Sequence, residues 1–229
     1  MTTRTKTSAS KPRMHAPSPQ EFDTHPARGR FNAAFFWVMG GYINWHMRKY
    51  KAEAFAELPH TVVELGPGVG ANVRYLPAET RLIAIEPNRY MHPRLRRAAS
   101  AGGVDVEIRS VVGERIDLPD ASADAVISSL VLCSVRDPQA VLVEVRRVLR
   151  PGGRFSFAEH VAAKRGTPTR WSQRLLRRPW AWTFEGCSCE RDLASVIRTA
   201  GFASIDLRHY RIHSPFLPFN TQIAGTAIK

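Results

Sequence analysis

Cysteine is scarce: Cys133, Cys187 and Cys189 are the whole complement of a 229-residue chain. Three thiols cannot complete a disulfide framework, and so few suit a reducing compartment. Cys187 and Cys189 stand one residue apart, not the two of zinc and redox motifs, and no second pair completes a tetrad, so no metal is expected. Long hydrophobic runs are also missing. No stretch reaches the about 18 apolar residues a spanning helix needs, and the segment 31–45, apolar and aromatic, is interrupted by Gly40 and Gly41. The chain therefore reads as soluble and cytoplasmic. Its first twenty residues are basic and rich in Ser, Thr and Pro without an apolar signal core, so residues 1–29 read as a disordered tail, with a transit peptide as the alternative. Acidic residues are outnumbered, 20 against 33 Lys and Arg, giving a net charge of +13. Such a field attracts anionic partners without naming one.

What is present, from residue 61 onward, is an alternation of short β-branched runs with helical stretches, the pattern of βαβ units around a mostly parallel sheet. Strands are expected at 61–65, 81–86, 104–110, 125–129 and 154–159, with helices near Ala71, Tyr90, Gln139 and Thr169. A helix at 191–200 and two strands, 203–212 and 221–228, follow. The firmest helix has Val141, Val145, Val148 and Leu149 on one face, Pro138 at its start, and Pro151 and Gly152 at its end. Residues 30–229 form one domain in this reading, and 30–57 make an aromatic helical preface placed over the site as a lid.

The first strand runs into Gly66, Gly68 and Gly70, which permit a tight turn and a close backbone approach to a ligand. Glu86, at the end of the second strand, lies 20 residues beyond Gly66, where a carboxylate accepts hydrogen bonds from ribose hydroxyls. The glycine spacing also satisfies a nicotinamide fingerprint. Glu64, two residues before Gly66, argues against that cofactor, because it would repel a pyrophosphate and suits the ammonium of a methionine moiety. Glu114 is positioned to receive an adenine amino group, and the closing helix and two strands suit a last strand inserted antiparallel beside the fifth.

These strings, ELGPGVG, IEP, GERIDLPDASADAV and RRVLRPGG, resemble the successive motifs of class I methyltransferases of the type 11 group. The further strings SLVLCSV, EHVAA and FEGC are similar to the methyltransferase-like 7 proteins, which are alkyl-thiol methyltransferases, and to their bacterial relatives. The resemblance implies a Rossmann-like three-layer α/β fold, with a seven-stranded sheet of order 3-2-1-4-5-7-6 and the last strand antiparallel. It also implies S-adenosylmethionine as donor, Glu86 on the ribose and Glu114 near the adenine. The animal proteins begin with a hydrophobic anchor, where this chain has a basic polar tail.

Ligands of open α/β sheets sit beyond the carboxyl ends of the strands. The turns after strands one, four and five therefore surround the reacting methyl group: Gly66 to Gly70, Leu130 to Ser134 with Leu130 against the cofactor, and Glu159 with His160. His160 is the candidate base if the acceptor is a thiol, with a structural histidine as the alternative. Cys133 reads as a small buried hydrophobe. Between Lys164 and Arg178 lie six basic residues and no acid; a solvated helix face with its tryptophans in the core is preferred there over contact with an anionic membrane surface. The acceptor is expected to be a small lipophilic molecule, a thiol first, with a lipid, quinone or secondary metabolite methylated at O, N or C as the alternative. A non-catalytic cofactor-binding or RNA-associated protein is the competing class, though no specific nucleic acid is expected.

Overall fold

The computed structural model describes residues 25–229. The expected tail lies outside the described residues up to position 24, and its last four residues belong to a helix, α1 (Pro26–Ala54), with Pro26 at the helix start. There follow β1 (Thr61–Leu65), β2 (Arg81–Ile85), α2 (His92–Ala101), β3 (Asp105–Arg109), β4 (Ala123–Ser129) and α3 (Pro138–Val148). The chain continues through β5 (Leu149–His160), α4 (Pro168–Thr183), α5 (Leu193–Arg198), β6 (Ser204–Arg211) and β7 (Thr221–Ile228). The seven strands form one sheet in the order 3-2-1-4-5-7-6. β7 is antiparallel to both its neighbours, β5 and β6.

Burial explains the layering. β1 is buried along Val62 to Leu65, as a central strand covered on both faces must be. Its residues divide by period two: Val62 joins Met47, Ala54 and Phe55 of the α1 side. Val63 and Leu65 join Val141, Val145 and Val148 of α3 with Leu193 and Ile197 of α5. Leu82 and Ala84 pack on Leu95 and Ala99 of α2, and Leu82 is the register partner of Val62, so α1 and α2 share one face of the sheet. The edge strand β6 alternates exposed and partly buried residues over Ser204 to Leu207, as a half-covered edge does.

Several local expectations are corrected. No α-helix forms near Ala71; only a 3-10 turn, Val73–Tyr75, follows the glycine segment, because Pro77 disfavours helical backbone at the residue before it and cuts the segment short. α3 ends at Val148 rather than at Pro151, since Leu149 already pairs with Ala123 in the sheet. The tryptophans of α4 are not core residues as a set: Trp180 is partly buried against the core, whereas Trp171 and Trp182 are each 68% exposed and Leu175 is 61% exposed. Among the described residues no helix is long and apolar enough to cross a membrane.

Candidate active site

A cavity of about 470 Å³ opens beyond the carboxyl ends of the strands, within the range of small-molecule sites. The turns after β1, β2, β3 and β4 line it, together with α1 and the end of α4, while β5 contributes its last residue, His160, rather than the turn that follows it. α1 closes one side with Asn32, Phe35, Phe36, Ile43, Asn44 and Lys51. It is held there by Asn32 Nδ2, which donates to the Thr183 carbonyl at 2.9 Å, and by Phe35 against Phe184, with ring centroids 5.1 Å apart.

The glycine turn is built around a carboxylate. Gly66 and Gly68 both adopt left-handed backbone, φ +52° and +58°, which glycine accepts without steric cost. That turn aims the Gly68 N–H at Glu86 Oε2, 2.9 Å away, while the Asn88 N–H donates to Oε1 at 2.8 Å. Glu86 is thus fixed by two backbone donors and still faces the cavity. Burial pushes its carboxyl up to about 7, against those two donors, which favour the charged form. A Cβ at Gly68 would meet nothing nearer than Met91 Sδ at 3.9 Å, so this backbone is bare toward open space. Gly70 acts elsewhere. It does not line this cavity, and a Cβ there would come within 2.7 Å of Ala98 Cβ, so its absence of a side chain lets α2 pack close.

Glu64 is fully buried and is not among the residues lining the cavity. Its Oε1 accepts from Asn72 Nδ2 at 2.6 Å, and Asn72 Oδ1 accepts from Lys51 Nζ at 2.8 Å. Lys51 and Asn72 are the members of this chain that reach the cavity. Burial dominates both ends, raising the Glu64 carboxyl to about 7 and lowering the Lys51 ammonium to about 8. Sequence reasoning misses Lys51, because a lysine inside a long aromatic helix carries no motif; its spacing with Asn44, Met47 and Ala54, all buried, is the signal that could have found it. Glu185 is a second such residue. It lines the cavity, accepts from Asn88 Nδ2 at 2.9 Å, and is raised to about 7 by burial and then by the nearby Glu86.

Glu114 lines the cavity and uses Oε1 to accept the N–H groups of Arg136 and Asp137, at 2.8 and 3.3 Å. Its loop is clamped by Arg147, which donates to the carbonyls of Ile116 and Leu118 and to Glu144. Leu130 lines the cavity with φ +62°, rare for a residue with a side chain, its N–H donating to the Ala158 carbonyl at 3.0 Å.

At another part of the wall His160, Cys133 and Cys187 converge, all buried. The two sulfur atoms lie 3.5 Å apart, and Cys187 Sγ is 3.7 Å from His160 Nε2. Trp180 Nε1 donates to Cys187 Sγ at 3.3 Å. Spacing rules miss this group because Cys187 pairs with Cys133, 54 residues away, rather than with its neighbour Cys189. Two consecutive left-handed residues, Glu185 and Gly186, turn the chain from α4 to deliver Cys187, and the Ser188 N–H donates to the Cys133 carbonyl at 2.8 Å. The hydrogen bond with Cys133, and then His160, outweigh burial and hold the Cys187 thiol well below its ordinary range. Burial and the adjacent Cys187 sulfur keep Cys133 well above it. Burial opposes an imidazolium at His160, but the Cys187 sulfur and the Glu159 carboxylate outweigh it, and the histidine is raised.

These residues fit S-adenosylmethionine. A carboxylate with free lone pairs stands beside bare glycine backbone, and an ammonium and an amide face the same cavity from Lys51 and Asn72. The family described as methyltransferase domain matches residues 63–157. The chain is 34% identical over 197 residues to thiol S-methyltransferase TMT1A of Homo sapiens, covering 81% of each protein. It is 33% identical over 194 residues to thiol S-methyltransferase TMT1B of Rattus norvegicus, covering 80% of each. A SAM-dependent methyltransferase from Thermotoga maritima shares the fold with a TM-score of 0.61 at 20% identity, over 87% of this chain and 99% of that one. Sequence shared at this level across four-fifths of both chains settles the family: the protein is an S-adenosylmethionine-dependent methyltransferase and belongs to the family that includes the thiol S-methyltransferases.

Proposed function

We propose that the protein transfers the methyl group of S-adenosylmethionine to the sulfur of a small lipophilic thiol. The observation that carries this reading is the convergence of His160, Cys133 and Cys187 on a part of the cavity wall shared with aromatic residues: Phe219, with its ring centroid 5.8 Å from that of His160, and Trp180, which donates to Cys187 Sγ. The thiol S-methyltransferase names of the relatives support it. When bound, S-adenosylmethionine supplies an electrophilic methyl group on a sulfonium. The chain's own contribution is to hold both partners at near-attack distance in a pocket that excludes water. Glu86 accepts from the ribose hydroxyls, Glu114 marks the adenine end, and the backbone of Gly66 to Gly68 and Leu130 passes close to the ligand. Glu64 acts through Asn72, and Gly70 through the packing of α2. His160 is the residue proposed to promote ionisation of the acceptor thiol. The test offers an alkyl thiol and the alcohol and amine of the same chain length. Methylation confined to the thiol is expected, and preferential methylation of the alcohol or amine would overturn the acceptor class.

Lys51 is proposed to pair with the carboxylate of the methionine moiety. Lys51→Met keeps most of the apolar stem and removes the charge. With about 1.5–3 kcal/mol for a hydrogen bond to a charged group, S-adenosylmethionine binding is expected to weaken about tenfold or more, with the acceptor KM little changed. Calorimetric titration beside steady-state kinetics checks both.

The raised Glu86 carboxyl gives donor affinity a pH dependence. Ribose hydroxyls donate to the carboxylate, so binding below pH 7 must displace a proton from a group whose value is about 7. Affinity is therefore expected to peak between pH 7 and 8 and to fall severalfold by pH 6 as Glu86 takes up its proton, and again above pH 8 as Lys51, lowered to about 8, loses its charge; the acid limb should flatten in Glu86→Gln and the alkaline limb in Lys51→Met. The stability of the ligand-free chain runs opposite to the acid limb. Glu64 and Glu86 are both raised from 4.5 to about 7, so their contribution to stability is complete below pH 4.5 and is lost as pH rises through 7.

We further propose that the enzyme works as a peripheral protein at an anionic membrane surface. Trp37 and Trp45 of α1 are 64% and 57% exposed, and Trp171 and Trp182 of α4 lie near exposed Arg174, Arg177 and Arg178. Interfacial tryptophan with basic residues is the composition of a surface-bound helix. Trp171→Ala combined with Trp182→Ala is expected to weaken co-sedimentation with phosphatidylserine vesicles about tenfold, at roughly 1 kcal/mol or less per ring. Unchanged sedimentation would remove the membrane from the reading.

A further inference from the structure

Two cysteines and a histidine from three separate segments bring their polar atoms together in the interior, next to the cavity. Cys133 comes from the turn after β4, His160 from the last position of β5, and Cys187 from the turn after α4. Their ligating atoms all lie within 4.8 Å of one another, with edges of 3.5 Å between the sulfurs and 3.7 Å from Cys187 Sγ to His160 Nε2. A tetrahedral zinc ion with Zn–S of about 2.3 Å and Zn–N of about 2.0 Å sets its ligand atoms roughly 3.5–3.8 Å apart. These two edges match that spacing, and the third, from Cys133 Sγ to the His160 ring, lies within 4.8 Å, so a shift of about 1 Å or less completes the triangle. All three residues also line the cavity, so a metal held by them would keep its remaining position toward the space where the acceptor enters. Three protein ligands and one open position is the arrangement of a catalytic rather than a structural zinc. The supporting contacts agree: Trp180 Nε1 donates to Cys187 Sγ, and the Ser188 N–H to the Cys133 carbonyl ties the two cysteine segments together.

We propose that Cys133, His160 and Cys187 bind a zinc ion whose fourth ligand is the acceptor's thiol sulfur. The inference rests on the thiol reading above and assigns its means of activation. On ligation the S–H proton leaves to solvent and the sulfur stays on the metal as a thiolate. A lone pair of that sulfur forms the new S–C bond as the methyl–sulfonium bond breaks, its electron pair remaining on the donor's sulfur. The thioether formed is neutral, a weaker ligand than a thiolate, and departs. In this assignment His160 is a ligand, and the proton is lost through the metal rather than taken up by the imidazole.

The test measures metal content of the full chain, purified without chelator, by plasma mass spectrometry, and then the visible spectrum of the cobalt(II)-loaded protein with hexanethiol. About one zinc per chain is expected, sharply reduced in Cys133→Ser, Cys187→Ser and His160→Ala, and retained in Cys189→Ala, whose sulfur faces the Gln173 carbonyl instead. Circular dichroism of each variant separates loss of metal from loss of fold. Hexanethiol is expected to intensify the sulfur-to-cobalt charge-transfer band. A folded wild-type chain that takes up no zinc, or that carries a Cys133–Cys187 disulfide in its active form, overturns the site. Zinc uptake with no response of the cobalt spectrum to hexanethiol overturns the acceptor's place on the metal. Thiol methylation by a zinc-free chain leaves the proposed function standing and removes the metal, whereas zinc and a hexanethiol response without thiol methylation do the reverse.

Discussion

Replacing Glu86 by alanine is expected to weaken S-adenosylmethionine binding by about 100-fold or more. The carboxylate is proposed to accept from two ribose hydroxyls, and each hydrogen bond to a charged group contributes about 1.5–3 kcal/mol. The substitution also orphans the N–H groups of Gly68 and Asn88, which now lie 2.9 and 2.8 Å from the carboxylate oxygens. The glycine turn then loses the partner that fixes its direction, so the effect exceeds that of removing a ligand contact alone. Glu86→Gln, with one acceptor oxygen for two backbone donors, should fall between alanine and wild type. Calorimetry with S-adenosylhomocysteine, which shares the ribose, is expected to show the same ranking. Full affinity in Glu86→Ala would mean that the ribose lies elsewhere.

Gly66→Ala is expected to damage fold and site together. The residue sits at φ +52°, and a Cβ there would come 2.6 Å from Val131 Cγ2. Left-handed backbone costs about 1–2 kcal/mol for a residue with a side chain, and overpacking adds about 1–3 kcal/mol. The sum, about 2–5 kcal/mol, corresponds to a melting temperature lowered by roughly 4–20 °C in a domain of this size. Val131 also donates its N–H to Glu159 Oε1 at 3.1 Å, so a displaced Val131 disturbs the turn that carries Leu130 and Cys133. The double variant Gly66→Ala/Val131→Ala separates the two costs: the packing share should be recovered and the backbone share should remain. Strictly additive losses would show that Val131 is not what excludes a side chain at position 66.

The features legible in the sequence are those encoded locally. Strand positions follow from period-two and continuous apolar runs such as Thr61–Leu65, and the strand order is implied by the likeness of the motifs; the sheet has that order. Glu86 and the glycines announce themselves by spacing along a single βαβ unit, and Glu86, Gly66 and Gly68 do meet around the cavity. Glu64 and Gly70 sit close in sequence to those residues, yet one is screened by Asn72 and the other faces α2. Whether a residue two or four positions from a turn faces ligand or core depends on packing that spacing does not encode. The Cys133–His160–Cys187 group is legible only in part. The ends of adjacent strands β4 and β5 bring Cys133 and His160 to the same end of the sheet, as the strand order implies, whereas Cys187 is delivered by two left-handed residues after α4 and carries no signal in the sequence. The exposed Trp171 and Trp182 read wrongly as core because α4 is turned with its apolar stripe outward: Trp171, Leu175 and Trp182 share one exposed side, while the buried positions are the polar Thr169, Ser172 and Gln173, and spacing does not encode which side faces the sheet.

The most direct test of the proposed active site is a crystal structure of the protein with S-adenosylhomocysteine and an alkyl thiol bound together. The ribose hydroxyls are expected within hydrogen-bonding distance of Glu86, and the acceptor sulfur beside Cys133, His160 and Cys187, facing the position of the transferred methyl. An acceptor bound with its sulfur away from these three residues, or a ribose that does not touch Glu86, would contradict the assignment of the two ends of the cavity.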